Sequence, residues 1–526
     1  MCFQSSQAQK EASLFLHQQF DAAYLKQLHD RSAENRSFFF RTESDLDSGS
    51  RRIRLSWLPV SIGAAYNNSF ILSQNDEQLL PSGGLQGLFA AGLKCTSRYA
   101  DVQLAPRISY LHSINDNVFP VDYSDRMWIW YYDEIKRIDR PYQFSNSARF
   151  FPGNSYVKLK AKGLSAGVSS ASTWIGPGYF NSLVMTSTAP GIPHFFLKTE
   201  KPINLKWLRL EFSMLGGLMH RSQTTFPQRI LNNIAPLQDS TGAFFDRYLN
   251  AFSLTVSPAG WKNLYLGLSR VVYSNYDQFR SVKDLFPTLI AGRDPTALAT
   301  VFDQRDQMLV ISYRILFPAS HFELYGEFGR NDYFKNMRDF IMSPDHSAAY
   351  IAGFKKAIHA SSSKPSLLNV EFAKLEGSLS YSVLYRGQEG WYRHNQVTKG
   401  YTNYGQIIGA GIGTGSNAFN AAYIRFKNKL PQTRVSFSYI WNNNDFLNNA
   451  FRQNADKSPW TGLHLNYSRQ INPGPSSAFT IKIGILSELN RFWIRQASAE
   501  IPGLTHNGWK SSLRPILGIN YTYKLN

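Results

Sequence analysis

From about residue 50 to its end the chain alternates apolar and polar positions. In "TRVSFSYIW", Val435, Phe437, Tyr439 and Trp441 share one face, while Arg434, Ser436 and Ser438 take the other. In "FTIKIGI", Phe479, Ile481, Ile483 and Ile485 oppose Thr480, Lys482 and Gly484. In "TGLHLNYSR", Leu463, Leu465 and Tyr467 oppose His464, Asn466 and Ser468. In "HFELYGEFG", Phe322, Leu324 and Phe328 oppose Glu323, Tyr325 and Glu327. Period two marks a strand with one apolar and one polar face. Segments rich in Asn, Gly, Pro and polar residues, such as "NNNDFLNNAFRQNADKSPW", separate the strands. Only residues 11–30 read as helix, with Phe20, Tyr24 and Leu28 one turn apart.

Two architectures accommodate many such strands: a row of soluble β-sandwiches, or a transmembrane β-barrel with apolar residues toward lipid and polar residues toward the lumen. Charge on the polar faces favours the barrel, since Lys158, Lys160 and Lys162 alternate with Val157, Leu159 and Ala161. Aromatic residues gather at strand ends, as a membrane-interface girdle requires. The chain closes on "LGINYTYKLN", where Ile519, Tyr521, Tyr523 and Leu525 alternate. That ending resembles the insertion signal of bacterial outer-membrane proteins, so outer-membrane lipids and the barrel-assembly machinery are expected partners. No interdomain linker interrupts the pattern. The expected fold class is all-β: one large antiparallel transmembrane β-barrel over residues 49–526, preceded by a short helical element within 9–48. Residues 1–8 read as a signal-peptide remnant, because Ser6-Gln7-Ala8 has the small-x-small form of a cleavage site. At roughly 25–30 residues per strand with its share of loops, the barrel has room for about 16–19 strands, in even number.

Lys and Arg total 56 against 37 Asp and Glu, a formal charge of +19. Such a balance points to an anionic partner. The basic residues are spread over many strands and form no single patch, which disfavours nucleic acid. No run of ~18 apolar residues forms a membrane helix. Two cysteines, Cys2 and Cys95, make neither a disulfide framework nor a zinc site.

Catalytic motifs are weak. "GLSAG", Gly163 to Gly167, satisfies G-x-S-x-G but sits inside an alternating strand, where a nucleophile elbow needs strand–turn–helix. Glu323 and Glu327 share a face but are ~13 Å apart along a strand; a glycosidase pair needs about 5–9.5 Å. They read as lumen charges balancing the lysines. No catalytic residue, metal site or cofactor is expected. Glycan binding, in contrast, needs aromatic faces for the C–H side of a sugar and polar groups for its hydroxyls. "EGWYRHN" supplies Trp391, Tyr392, Arg393 and His394; "NRFWIRQ" supplies Arg491, Trp493 and Arg495; "SPWTG" supplies Trp460. Each of these aromatics serves equally well as an interface girdle residue.

One stretch, "TWIGPGYFNSLVMTSTAPGIPHFFL" at 173–197, is neither strand nor ordinary loop. Pro190 and Pro193 forbid a helix, and Gly176 and Gly178 around Pro177 favour a sharp bend. It resembles the hallmark of the capsule assembly protein Wzi family: Trp174, Gly176-Pro177-Gly178, Ser182-Leu183, Ala189-Pro190 and Pro193, with Ile175 interrupting the usual Trp-Gly contact. The blocks "SLTVSPAGWKNLYLGLSR" at 253–270, "LYGEFGRND" at 324–332 and "HNQVTKGYTNYGQIIGAGIGTGSNA" at 394–418 agree with it. The resemblance implies an eighteen-stranded outer-membrane barrel with a small periplasmic helical element. It also implies a non-catalytic, lectin-like protein that holds capsular or surface polysaccharide at the outer face of a Gram-negative-type cell. The motif itself reads as a structural landmark between strands. An anion- or saccharide-selective porin is the alternative that the same basic lumen allows.

Overall fold

The period-two segments pair in chain order, each with its sequence neighbours, until the last strand returns to the first. The computed structural model describes residues 19–29, 36–46 and 52–525, apart from 69–74, 115–123, 138–145, 223–245, 291–304, 332–340, 379–389, 452–456, 497–511 and a few isolated positions. The signal-remnant reading at 1–8 and the first half of the expected helix lie outside the described residues. Early strands are β1 (Arg54–Asn67), β2 (Gly84–Thr96), β3 (Ala100–Leu104 and Arg107–Ser113), β4 (Ser147–Phe151 and Tyr156–Ala161), β5 (Leu164–Ser169) and β6 (His194–Thr199 and Ile203–Asn204). The chain continues through β7 (Leu208–Met219), β8 (Arg247–Pro258), β9 (Leu264–Asn275), β10 (Arg305–Phe317), β11 (Phe322–Asn331) and β12 (Ala348–Ile358). It ends with β13 (Ser366–Lys374), β14 (Asn417–Lys427), β15 (Leu430–Asn442), β16 (Trp460–Gly474), β17 (Ser477–Leu489) and β18 (Ser512–Tyr523). The eighteen strands form one closed antiparallel barrel. Closure runs from Val60↔Tyr523 to Asn67↔Ile516 between β1 and β18.

Irregularities fall where backbone chemistry puts them. Pro106 and Pro152 have no N–H to give the ladder, and β3 and β4 are broken there. A bulge in β1 between Leu58 and Ser61 surrounds Pro59. Lys162 is not a lumen residue as its alternation suggested. With φ of 48° it forms, with Gly163 at 83°, the tight turn between β4 and β5, which needs positive φ at both positions. Lys158 and Lys160 do point inward, Lys158 reaching Glu200 at 3.2 Å and Lys160 reaching Asp101 at 2.7 Å.

The apolar face is the outer one. Phe322, Leu324, Val435, Phe437, Ile481, Ile483 and Tyr521 are all exposed or half-exposed, while Glu323 and Glu327 between them are buried. Two-residue turns join β4–β5, β14–β15 and β16–β17 at one end. Long connections at the other end carry α2 (Asp125–Arg137) and α3 (Asn444–Ala450). Short turns belong to the periplasmic side of outer-membrane barrels, and exposed Trp57, Trp207 and Trp261 near that rim form the expected girdle. On the outside of the wall, residues 276–290 fold back over β8 and β9. Arg270 donates to the carbonyls of Thr288 at 3.1 Å and Ile290 at 2.7 Å, and Phe286 packs on Phe195. This strap covers outward-facing polar groups that lipid would otherwise meet.

Much of the lumen is filled by the chain itself. Helix α1 (Asp21–His29) sits in the short-turn mouth, where His321 Nδ1 lies 2.8 Å from the Leu28 carbonyl oxygen. Phe20, Tyr24 and Leu28 are buried, as the helical spacing predicts, and Leu25 joins them. Residues Phe40–Thr42 pair antiparallel with Thr173–Ile175 inside the barrel. The connection 170–193 between β5 and β6, and the described part of 375–416 between β13 and β14, complete the same core.

Candidate functional site

The bend at 174–183 is held from two sides by carboxylates on the barrel wall. Glu371, on β13, accepts from the backbone N–H groups of Tyr179 at 2.7 Å, Phe180 at 3.0 Å and Asn181 at 2.8 Å, and from the Asn181 amide at 3.0 Å. Glu327, on β11, accepts from the N–H of Leu183 at 2.8 Å and of Gly178 at 3.2 Å, and from the Ser182 hydroxyl at 3.2 Å. Glu327 thus does not balance a lysine, as its place on the polar face suggested. Glu323 does, meeting Lys355 at 2.7 Å and Arg314 at 2.6 Å.

Glycine is forced at two points of the bend. Gly176 has φ of 131°, and a Cβ on Gly178 would lie 1.9 Å from the Asn181 carbonyl oxygen. Arg41 clamps the opposite face, donating to the carbonyls of Gly176 at 2.9 Å and Gly178 at 2.7 Å with its guanidinium 4.6 Å from the Trp174 ring. The Tyr179 hydroxyl donates to Asp21 at 2.8 Å, and Asp21 is ion-paired with Arg434. Burial holds the Asp21 carboxyl above its usual range despite that pair. Pro190 accepts from Asn403 at 3.0 Å, and Pro193 from the N–H of Leu218 at 3.1 Å. Trp174, Gly176, Pro177, Gly178, Ser182 and Pro190 are all buried. The motif residues build a plug.

The predicted sugar-binding residues divide between two packed regions. Trp391 and Tyr392 belong to the luminal core, where the Tyr392 hydroxyl donates to the Leu183 carbonyl at 3.0 Å. Trp460 and Trp493 belong to a separate cap at the long-loop end, with Trp128, Tyr131, Phe446 and Phe492. Trp460 also donates to Glu488 at 3.0 Å. Arg393 is buried in an ion pair with Glu134 of α2. The rings of Trp391, Tyr392, Trp460 and Trp493 are buried in these two regions. His394, Arg491 and Arg495 are half-buried. His394 accepts from the N–H of Val397 at 3.1 Å, Arg491 faces Glu488 at 3.5 Å, and Arg495 donates to Ser458 at 3.3 Å. Ser165 of "GLSAG" is buried on β5, with no helix following it. Among the described residues, no acidic, His or Cys cluster could hold a metal ion.

The accessible chemistry lies elsewhere in the lumen. A chamber of about 230 Å³ separates the plug from the inner wall of β14–β18 and β1. Its wall presents Ser436 and Ser438 from β15, His464, Asn466 and Ser468 from β16, and Thr480 and Lys482 from β17. Phe180 and Asn181 face it from the plug, and Asp76 from the β1–β2 connection. The lumen is asymmetric. Inward residues on β11–β13, including Glu323, Glu327, Lys355 and Glu371, are fully enclosed, whereas Ser436, Asn466, Ser468, Thr480 and Lys482 stay partly accessible. Sequence reading placed those residues on polar faces but gave them no role. The signal was there: short hydroxyl and amide side chains recur on adjacent strands, where the opposite wall carries carboxylates and long cations.

A family model, capsule assembly protein Wzi, matches residues 84–470. The chain belongs to the capsule assembly protein Wzi family. Among solved structures it is similar to a Wzi described as an outer-membrane protein involved in group 1 capsule assembly in Escherichia coli and as a carbohydrate-binding β-barrel. Identity is 12%, TM-score 0.58, and coverage 89% of this chain and 85% of the other, a likeness of fold. OccK5 (OpdH) of Pseudomonas aeruginosa matches at 8% identity and TM-score 0.41, covering 90% of this chain and 98% of its own, too loosely to carry an argument. No curated protein matches the sequence. As a Wzi-family barrel the protein resides in the outer membrane.

Proposed function

We propose that this Wzi-family protein binds capsular or surface polysaccharide and anchors it at the cell surface, without catalysing a reaction on it. The observation that carries the reading is the match to a capsule-assembly family over residues 84–470 in a barrel whose lumen is occupied by its own chain. The E. coli relative's description as carbohydrate-binding supports the same ligand class. A net charge of +19 adds attraction for anionic polymer. Individually weak contacts to one repetitive chain add through effective concentration. Outer-membrane lipids and the barrel-assembly machinery are the partners that insertion requires. The porin alternative draws on the polar chamber, but a plug tied down by two carboxylates opposes free passage.

The test is a deletion strain. It should make polymer in normal total amount, retain less on cells and release more into the medium. Absence of polymer altogether would replace anchoring with an export or biosynthetic role. Unchanged bound and released fractions, with stepwise conductance of purified protein in a planar bilayer, would put the porin first.

A further inference from the structure

We propose that the luminal chamber is a saccharide subsite that takes one neutral, hydroxyl-rich pyranose unit, a terminal or branch sugar of the polymer. This rests on the polysaccharide-binding reading above and adds where and what kind of unit is held.

Three observations carry it. The first is composition: Ser436, Ser438, Asn466 and Thr480 offer hydroxyl and amide groups from three adjacent strands, and the aromatic residue Phe180 lines the chamber from the plug. Hydroxyls and amides match the equatorial edge of a sugar, and an aromatic ring matches its C–H face. The second is accessibility. Ser436, Asn466, Ser468, Thr480 and Lys482 are only partly buried where they line the chamber, whereas the inward residues of β11–β13 are enclosed. The third is charge and size. Arg434 is committed to Asp21 and Tyr179, and Lys482 faces Asp76 at 4.0 Å, so positive charge in the chamber is locally matched and no carboxylate is demanded. Small-molecule sites usually enclose about 300–1,000 Å³. At about 230 Å³ the chamber has room for one ring.

The experiment uses purified full-length protein in detergent and saturation-transfer NMR with glucose, galactose and mannose, with glucuronate as a charged control. Ser438→Trp fills the chamber. Asn466→Leu removes the amide at nearly constant volume and carries the test alone if the Trp variant does not fold, as judged by heat-modifiable migration. Trp130→Ala, on the exposed face of α2, is the control outside the chamber. Transfer to at least one neutral hexose is expected in the wild type and in Trp130→Ala. It should be at least tenfold weaker in Asn466→Leu and lost in Ser438→Trp. No transfer to any hexose in the wild type, transfer to glucuronate alone, or transfer that survives Ser438→Trp would overturn the proposal. Retention of polymer on cells is scored separately, so a silent chamber with reduced retention in the deletion strain defeats this inference and leaves anchoring standing.

Discussion

Replacing Glu371 by Ala should open the lumen without dismantling the barrel. The carboxylate accepts three backbone N–H groups of the bend, the Asn181 amide and the Tyr325 hydroxyl at 2.9 Å. Each buried donor left without a partner costs about 1–3 kcal/mol. Three orphaned backbone donors alone therefore amount to about 3–9 kcal/mol, before water enters the space and recovers part of it. That is comparable with the whole stability of an ordinary domain, and it falls on one connection between β5 and β6. The wall does not share the loss, because β13 keeps its ladders to β12 and β14. The assay is single-channel conductance in planar bilayers alongside heat-modifiable migration. Wild type should conduct poorly, and Glu371→Ala should insert normally and show a higher, noisier conductance. Glu371→Gln should fall between, since the amide keeps one accepting oxygen but turns a donor toward the N–H groups. A folded Glu371→Ala protein with wild-type conductance would refute the idea that this carboxylate holds the plug.

Three further perturbations separate the parts of the molecule. Trp460→Ala removes a buried ring from the outer cap at a cost of about 3–5 kcal/mol; limited proteolysis should cut the outer loops faster while the barrel's heat-modifiable transition stays. Arg270→Leu frees the carbonyls of Thr288 and Ile290, so trypsin should cleave the strap at Lys283 faster than in wild type. In the cap, burial pushes the Asp445 carboxyl up from 3.8 to about 6, against the pull of Arg393. A raised acid binds its proton more tightly when folded, so its contribution to cap stability is full below pH 3.8 and lost as pH rises through about 6. Protease resistance of the cap should fall over that window, and Asp445→Asn should flatten the dependence.

The barrel was legible because its physics is local. A side chain's face is set by parity along a strand, so Leu324 and Ile483 declared themselves lipid-facing, and Glu323 luminal, without knowledge of their partners. Lys162 shows the limit of parity, since a two-residue turn continues the apparent alternation while reversing the chain. What fills the lumen was not legible, because it depends on pairings far apart in sequence. Glu371 and Tyr179 are 192 residues apart, Arg41 and Gly178 are 137 apart, and Arg314 and Ser37 are 277 apart. The burial of Trp391, Trp460 and Trp493 was not legible for the same reason. Aromatic residues between strands look alike whether a loop stands in solvent or folds back on itself, and here both loops fold back.

That burial bears on the question of recognition. A large aromatic residue is the best sugar platform and also the best core-former, so in a protein that must pack its own loops the core claims it first. Accessible recognition chemistry is then left to residues too small and too polar to pack, and in this barrel those residues are concentrated along the inner wall of β15–β17. The backbone of the bend is held by Glu327 and Glu371, on β11 and β13, and the plug reaches β15 through the Tyr179 hydroxyl, 2.6 Å from Arg434. The two acids on the wall therefore belong to the half of the lumen that is sealed, and the half left partly accessible is the one that can hold a ligand.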